Sequence, residues 1–296
     1  MATSKAPGYS KPSKTDDYWV PGKPPRLVEV LRYRYLLDLL VHKELRVRYR
    51  GSVLGMLWSY AKPAVQFMVF YVALGVFMAM NKAINNYVVY LFAGVVVINY
   101  FSEAFGNITR SVVGNSALVK KIYLPRQLFP VSSLLVAFVH FVPQLLILVL
   151  GALVYGWRPT PVDLLLGLWG FLLISALALG LGLLFSAVNV MFRDAENFVD
   201  LILMVVTWIS PVLYKWQQVH AIAEGTFWWK LYMLNPITPI VMMFHQCFWG
   251  ATSGVTPDYP ASFWKWSIVA TFVCLFILVL GDWFFRRLDG RFAQEL

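Results

Sequence analysis

A compact group of charges lies in the short segment 191–197, whose sequence is MFRDAEN. It places Arg193, Asp194 and Glu196 together, between two long apolar stretches. An unpaired charge near a bilayer is costly to desolvate, so such a bend needs internal pairing or the charges of a partner protein.

A second basic segment, residues 110–126, contains Lys120 and Lys121 and is ended by Pro125, which cannot continue a helix. The two lysines are suited to an acidic protein surface or to phosphate. The same charges could instead do no more than hold the orientation of the chain in a membrane. Both interpretations stay open from the sequence.

Three ionisable side chains, Lys62, Glu103 and His140, fall inside apolar stretches. Charges at such positions are by default functional candidates, because hydrocarbon does not solvate them. Lys62 and Glu103 could also extend to a nearby surface, and His140 could be a hydrogen-bonded structural residue. The set is too sparse to favour proton-coupled transport.

We assign no catalytic residue and no metal site. The sequence lacks GxSxG, HExxH and paired acidic motifs, and Cys247 and Cys274 each stand alone in an apolar run. It also lacks a GxxxxGK[ST] phosphate loop, so we expect ATP and Mg²⁺ to bind a separate subunit. The basic residues are placed asymmetrically along the chain, which favours a membrane over nucleic acid as their partner.

The elements that must position these residues are transmembrane helices. Hydrophobic residues make up 59% of the chain and charged residues 14%, with a mean hydropathy of +0.64. We therefore predict an all-α integral membrane protein. Five strong candidate spans and a shorter sixth are residues 53–80, 87–106, 128–155, 164–191, 263–285 and 198–214.

The distribution of Lys and Arg predicts the orientation. Eleven of the 25 lie in the first 52 residues, and with six spans most of the others fall on the same side. The positive-inside rule then places both termini in the cytosol. We expect residues 1–25, rich in Pro, Ser and Lys, to be a flexible cytosolic tail, and residues 53–296 to be the transmembrane domain.

Residues 26–52 predict an amphipathic helix at the membrane surface. Glu44 and Arg48 fall within its apolar arc, at the i, i+4 spacing at which they would pair with each other. A topology anchor and a docking surface for a partner or an anionic lipid are both possible. The apolar arc contains Val30, Tyr33, Leu36, Leu37, Leu40, Val41 and Val47, and the opposite face contains Arg32, His42, Lys43, Arg46 and Arg50.

Between the fifth and sixth spans, two apolar pieces, 227–234 and 240–248, are each too short to cross a bilayer. Asn235, Pro236 and Pro239 separate them. We expect a re-entrant helical hairpin that dips in from the outer face.

Aromatic residues are abundant in the first span and around the outer end of the fifth. An interfacial belt accounts for many of them, and flat faces that stack on sugar rings are the alternative for those deeper in the first span. They include Trp58, Tyr60, Phe67, Phe70, Tyr71, Trp208, Tyr214, Trp216, Phe227, Trp228 and Trp229.

Four motifs together resemble the membrane subunit of ABC-2 type exporters, in particular the group that exports polysaccharides such as O-antigen, teichoic acid or cell-wall galactan. They are RYRGSVLG at 48–55 with Trp58 and Pro63, NSALVKKIYLPRQLFP at 115–130, FRDAEN at 192–197 with Ser210-Pro211-Val212, and NPITP at 235–239.

The resemblance implies a homodimer in a bacterial inner membrane that works with two ATPase subunits and exports a lipid-linked polysaccharide. It implies a cytosolic gate or interface at Arg46, Arg50, Asn115, Lys120 and Lys121, and ATPase coupling through Arg193, Asp194 and Glu196. Aromatic residues would line the channel, with Trp58, Tyr60, Phe67, Phe70, Tyr71 and Trp208 as candidates. An outer gate would contain Trp228, Trp229, Asn235 and Pro236.

Two other functions remain open. A drug or small-lipid exporter of the same superfamily would share these motifs but need a narrower and more apolar path. A membrane glycosyltransferase would need acidic residues for a metal and a sugar nucleotide, for which Asp194 and Glu196 are too few.

Overall fold

The computed structural model describes residues 27–121, 124–255 and 259–296, and within these ranges the protein is entirely helical, without strands. The predicted tail, 1–25, lies outside the described residues. The all-α prediction is confirmed.

The chain begins with α1 (Leu27–Val30), a 3₁₀ turn (Leu31–Tyr33) and α2 (Arg34–Arg48). The apolar arc of α2 is used only in part, because Leu37 and Leu40 are buried whereas Val47 is 63% exposed.

In the part of the chain that the structure describes, five helices are long and apolar enough to cross a membrane. The first, Gly55–Phe77, joins a 3₁₀ turn, α3 (Trp58–Phe70) and a π-helix (Tyr71–Phe77). After the short α4 (Met80–Ala83), α5 extends past the predicted end at Gly106 to Gly114. The others are α7 (Leu128–Val154), α8 (Pro161–Met191) and α13 (Phe263–Leu288), with α6 (Ser116–Lys121) between α5 and α7.

Helix α5 is the centre of the bundle, packed against α7 and α8, and α13 covers the other side of α8. α8 begins with a capping box, in which the side chains of Thr160 and Asp163 each accept a hydrogen bond from the other residue's backbone N–H. α8 and α13 approach closely where Gly180 meets Gly281. A Cβ on Gly281 would lie 2.1 Å from the carbonyl oxygen of Gly180, so only glycine fits.

The stretch predicted as a short sixth span contains α9 (Ala195–Ile209), which has 15 residues. At 1.5 Å per residue it measures roughly 22 Å, less than the roughly 30 Å of a hydrocarbon core. It is therefore not among the five long helices.

Four short helical elements follow: α10 (Trp216–Ala223), α11 (Phe227–Leu234), α12 (Ile237–Phe244) and a π-helix (His245–Gly250). The chain turns at Asn235 and Pro236, between the two predicted apolar pieces. Pro239, which was also expected to separate them, instead lies in the first turn of α12, where its missing N–H would have had no partner within the helix. Every residue of α12 and of the π-helix is buried. We call α11 and α12 the helix pair.

The first and last described helices lie at the same end of the bundle. Val30 of α1, Val119 of α6 and Phe292 of α14 (Phe292–Glu295) share one buried apolar cluster with Leu128 and Phe285. We call this the terminal end. The helix pair belongs to a separate cluster.

Candidate functional site

A polar groove of about 1060 Å³ is formed by α3, α5 and α9, together with the end of α2 and one residue of α7. This is at the upper limit of the roughly 300–1,000 Å³ that enclose small-molecule ligands. Its polar lining includes Arg48, Lys62, Asn99, Glu103, Arg110 and Asp200.

Helical spacing places these side chains on one wall. Asn99, Glu103, Asn107 and Arg110 follow the i, i+4, i+8, i+11 pattern of one helix face, and all four line the groove. α5 therefore carries a polar stripe in an otherwise apolar helix. Beyond the end that apolarity predicted, α5 continues with Asn107 and Arg110, whose side chains donate to carboxylates within the groove.

The end of α2 is bonded into the groove. Arg48 Nη1 donates to Glu103 Oε1 at 2.6 Å, and the same oxygen lies 2.5 Å from Nδ1 of fully buried His140. The other ring nitrogen, Nε2, lies 2.7 Å from the hydroxyl of Tyr49, which also bonds Ser59 on α3. Four elements are thus joined through one charged network. His140 has the hydrogen-bonded position that was one of its two expected roles.

The expected pairing of Glu44 with Arg48 is wrong, because each residue has a different partner. Glu44 accepts hydrogen bonds of 3.4 Å from Ser132 and Ser133 of α7, whereas Arg48 donates to Glu103. Burial is the main cause that raises the pKa of Glu44 above its ordinary value, against the smaller opposing effect of Lys43 and Arg48. Helical spacing allowed the pair, but α7 supplied partners that the local sequence does not show.

A second charged network connects α5 with α9. Arg110 Nε donates to Glu196 Oε2 at 2.9 Å, and its Nη2 donates to both carboxylate oxygens of Asp200 at 2.8 and 2.9 Å. Glu196 also accepts a hydrogen bond from Asn189 of α8.

This network includes only one of the three residues that were predicted to couple the permease to its ATPase. Glu196 faces inward and pairs with Arg110, whereas Arg193 and Asp194 are exposed at the terminal end. Of the two expected ways of satisfying a charged bend, internal pairing occurs at Glu196, and pairing of Arg193 and Asp194 with a partner protein stays a prediction.

The inner part of the groove contains polar atoms without partners. Asn99 Nδ2 and Gln144 Oε1 are buried and make no hydrogen bond, and Gln144 is only 6% exposed. The exposed ammonium group of Lys62 faces the same groove.

The predicted channel aromatics are only partly brought together at the groove. Trp58 lines it. Phe67 packs edge-on against Phe92, and Phe70 packs against Trp208, away from the lining. Tyr71 stacks between Phe67 and Tyr87, and the hydroxyl of Tyr60 is buried without a partner.

The residues predicted to form the cytosolic gate lie on α2 or just after it, and on α6 or just before it. Asn115 is buried at the start of α6, where its side chain accepts a hydrogen bond from Lys43 of α2. Arg46, Arg50, Lys120 and Lys121 are exposed. The contact between the two segments is therefore made by Lys43, for which the sequence predicted only a place on the polar face of the surface helix.

The predicted outer-gate residues lie in or beside the helix pair. Trp228 is 69% exposed, and Trp229 packs against Trp216 and His220. Asn235 donates to Ser210 and accepts from the backbone N–H of Ile237, which follows Pro236. Two motifs distant in sequence, NPITP and Ser210-Pro211-Val212, are thereby in contact.

A buried polar contact attaches the π-helix that follows the helix pair to α8. Gln246 Nε2 donates to Asp163 Oδ1 at 2.8 Å, and Asp163 is only 7% exposed. This carboxylate therefore serves both the capping box and the docking of the π-helix that follows α12.

Sequence reasoning missed Arg110, Asp200, Asn99 and Gln144. The signal for the first three was the polar spacing along α5 and at the start of α9, which is consistent with a shared face. Gln144 gave no such signal. Within residues 27–121, 124–255 and 259–296, no three His, Cys, Asp or Glu side chains are grouped to hold a metal ion.

Comparison with known proteins places these features in context. A family model described as ABC-2 type transporter matches residues 35–249. The O-antigen export system permease protein RfbA of Klebsiella pneumoniae is 30% identical, over 88% of this chain and 96% of its own length. The RfbA protein of Myxococcus xanthus is 32% identical over 76% of this chain and 84% of its own. The polysialic acid transport protein KpsM of Escherichia coli is 23% identical over 81% of this chain and 90% of its own length.

Proposed function

This chain belongs to the ABC-2 type transporter family, and from that premise we propose that it is the permease of an ATP-driven exporter. The cargo is a lipid-linked polysaccharide, moved from the cytosol across the inner membrane. The relatives named for O-antigen and polysialic acid transport support a glycan as the cargo.

The observation that carries this proposal is the polar groove between apolar helices. Hydrocarbon cannot satisfy amide and charged side chains such as Asn99, Asn107 and Asp200, so their face has to meet water, protein or a polar cargo. A hydroxyl-rich chain fits such a wall, and Trp58 offers a flat apolar surface for a sugar ring.

A second copy of this chain is the proposed cover of the groove. Only 6% of the 18-residue apolar stretch of the Gly55–Phe77 helix is buried. Trp208 of α9 is likewise 58% exposed. These two elements form the rim of the groove. In a two-fold dimer the rims would meet and the two grooves would form one pathway.

The positions of the first and last described helices support six crossings of the membrane. Helices α1 and α14 lie together at the terminal end, which requires an even number of crossings, and the five long helices supply an odd number. α9 begins at the terminal end beside Arg110 and supplies the sixth, continued by residues 210–214. The concentration of Lys and Arg then places the terminal end in the cytosol.

The terminal end is the proposed docking face for two ATPase subunits, which bind the ATP and Mg²⁺. Arg193 and Asp194 are exposed there, as are Arg46 and Arg50 at the end of α2. Lys120 and Lys121 would form the gate at which a diphosphate-linked cargo enters, because phosphate favours cationic donors. The helix pair would be the re-entrant outer gate.

The polar lining favours a glycan over a drug or a small lipid, for which a more apolar path is expected. It does not favour a membrane glycosyltransferase either, since Glu196 is occupied by Arg110.

The test is to delete the gene and locate the glycan with an antibody or lectin, in intact and in permeabilised cells. We expect the surface signal to disappear while the signal in permeabilised cells persists or rises. The full chain should restore export, and an inactive partner ATPase should reproduce the deletion. A normal surface signal would refute the proposal, and loss of the glycan from permeabilised cells as well would indicate the glycosyltransferase.

A further inference from the structure

The charges that line the groove are unequally compensated. The carboxylate of Glu103 is bound by Arg48, and that of Asp200 by Arg110, both within 3 Å. Among the described lining residues, Lys62 is the cation that has no carboxylate within salt-bridge distance. A lysine on a spanning helix is costly in hydrocarbon unless it meets water or an anion, and Lys62 is exposed to the groove without an anion from its own chain.

Two side-chain amides that line that groove each have one atom without a partner, although Gln144 Nε2 donates to the backbone oxygen of His140. Asn99 presents a buried N–H donor and Gln144 a buried carbonyl acceptor, and neither has a hydrogen bond. Buried polar groups are normally satisfied, so two atoms without partners, on α5 and α7 of the same groove, point to an absent ligand or water. A cation, a donor and an acceptor together fit an anion that also carries hydroxyl groups.

Their position separates them from the charged network at the end of α2. Asn99 lies one turn along α5 from Glu103, about 6 Å farther from the terminal end, and Lys62 lies one turn along α3 from Ser59. The three residues therefore line the inner part of the groove, beyond the bonds that join Arg48 and Tyr49 to the bundle.

We propose that Lys62, Asn99 and Gln144 form a subsite that binds an anionic group of the exported molecule. This rests on the proposed function, because it takes the groove to be the path of the cargo. Two sources can supply the anion: the diphosphate of the lipid carrier, or an acidic sugar within the chain. The subsite would make the permease selective for charged cargo over a neutral glycan of equal length.

The experiment uses the permease with its ATPase, purified in lipid nanodiscs, with Val65→Cys as a reporter. Val65 lines the groove and is 61% exposed, and the native cysteines Cys247 and Cys274 are both buried. The rate of labelling by an uncharged maleimide is measured in the presence of pyrophosphate, of an oligogalacturonate, or of a neutral malto-oligosaccharide of the same length.

We expect an anionic probe to protect the reporter at concentrations at which the neutral oligosaccharide does not. Protection by pyrophosphate assigns the subsite to the lipid carrier, and protection by oligogalacturonate assigns it to an acidic sugar. Lys62→Gln and Asn99→Leu should each weaken protection, the former roughly tenfold, as for a hydrogen bond to a charged group. Lys62→Arg should retain it, and Lys82→Gln, outside the groove, should leave it unchanged.

Equal protection by all three probes, or protection insensitive to Lys62→Gln, would overturn the subsite. The deletion experiment is independent of this result. A chain that exports its glycan normally with Lys62→Gln and shows no anion preference would therefore refute the subsite and leave the exporter assignment standing.

Discussion

The guanidinium group of Arg48 lies 2.6 Å from the carboxylate of Glu103, although the two residues are 55 positions apart in the chain. The first ends α2 and the second lies within α5, so this ion pair joins the helix at the terminal end directly to the wall of the groove. His140 and Tyr49 extend the connection to α7 and α3. A displacement of α2 by a partner would therefore act on the groove itself.

Breaking this pair should destabilise the protein. Arg48→Leu leaves the 25% exposed Glu103 carboxylate without its guanidinium partner, and we expect a loss of about 1–3 kcal/mol in the free energy of unfolding. Thermal melting in detergent measures it. Arg46→Leu, on the same helix but without an ion pair among the described residues, is the matched control and should change little. If the losses from Arg48→Leu and Glu103→Gln simply add in the double variant, the two residues are not coupled.

Variants of the charged bend should show that some of its residues act in coupling and another acts in stability. Arg193→Ala and Asp194→Ala remove exposed side chains, so we expect stability within about 0.5 kcal/mol of the parent but lower transport-stimulated ATP hydrolysis. Glu196→Ala should instead lower stability by about 1–3 kcal/mol, because Arg110 loses a partner. Unchanged ATP hydrolysis and glycan export in the first two variants would argue against a coupling role.

The contact between α8 and α13 should not tolerate a methyl group. Gly281→Ala places a Cβ against the backbone oxygen of Gly180, which cannot move aside as a flexible side chain can, and we expect a cost of about 1–3 kcal/mol. The yield of folded protein and its melting temperature report the effect. Gly151→Ala is the control, since a Cβ there meets nothing within 4 Å. Equal behaviour of the two variants would contradict this close approach.

Glu44 should make stability depend on pH. Because its pKa in the folded protein is raised above the ordinary 4.5, its contribution is fully present below pH 4.5 and is lost as the pH rises through the folded value. Glu44→Gln removes this dependence. The melting temperature of the variant relative to the parent should therefore increase between about pH 4 and about pH 7. A constant difference across that range would show that Glu44 does not titrate in this way.

The proposed orientation can be tested by labelling single cysteines in intact cells. Lys120 and Lys230 are both exposed and lie in α6 and α11, respectively. A membrane-impermeant maleimide should label Lys230→Cys but not Lys120→Cys, and permeabilisation should make both reactive. The buried native cysteines should contribute little background. Labelling of Lys120→Cys from outside would rule out the six-span arrangement with cytosolic termini.

Much of the framework followed from the sequence by itself. Apolar runs of about 20 residues located the five long helices, because a bilayer requires that length and backbone hydrogen bonds within each helix. Asn235 and Pro236 marked the turn of the helix pair, since proline lacks an N–H and disfavours helix in the residue before it. The charged bend and the basic segment after α5 were also visible as local patterns.

The partners of the charged residues were decided only by the tertiary structure. Glu44 and Arg48 were correctly spaced to pair, yet α7 and α5 offered each a different partner. Arg110 and Asp200 are 90 positions apart, and only the packing of α9 against α5 brings them together. Local spacing determines which side chains share a helix face, because the helix has a fixed period. Which faces meet depends on how all the helices pack, and that packing created the groove.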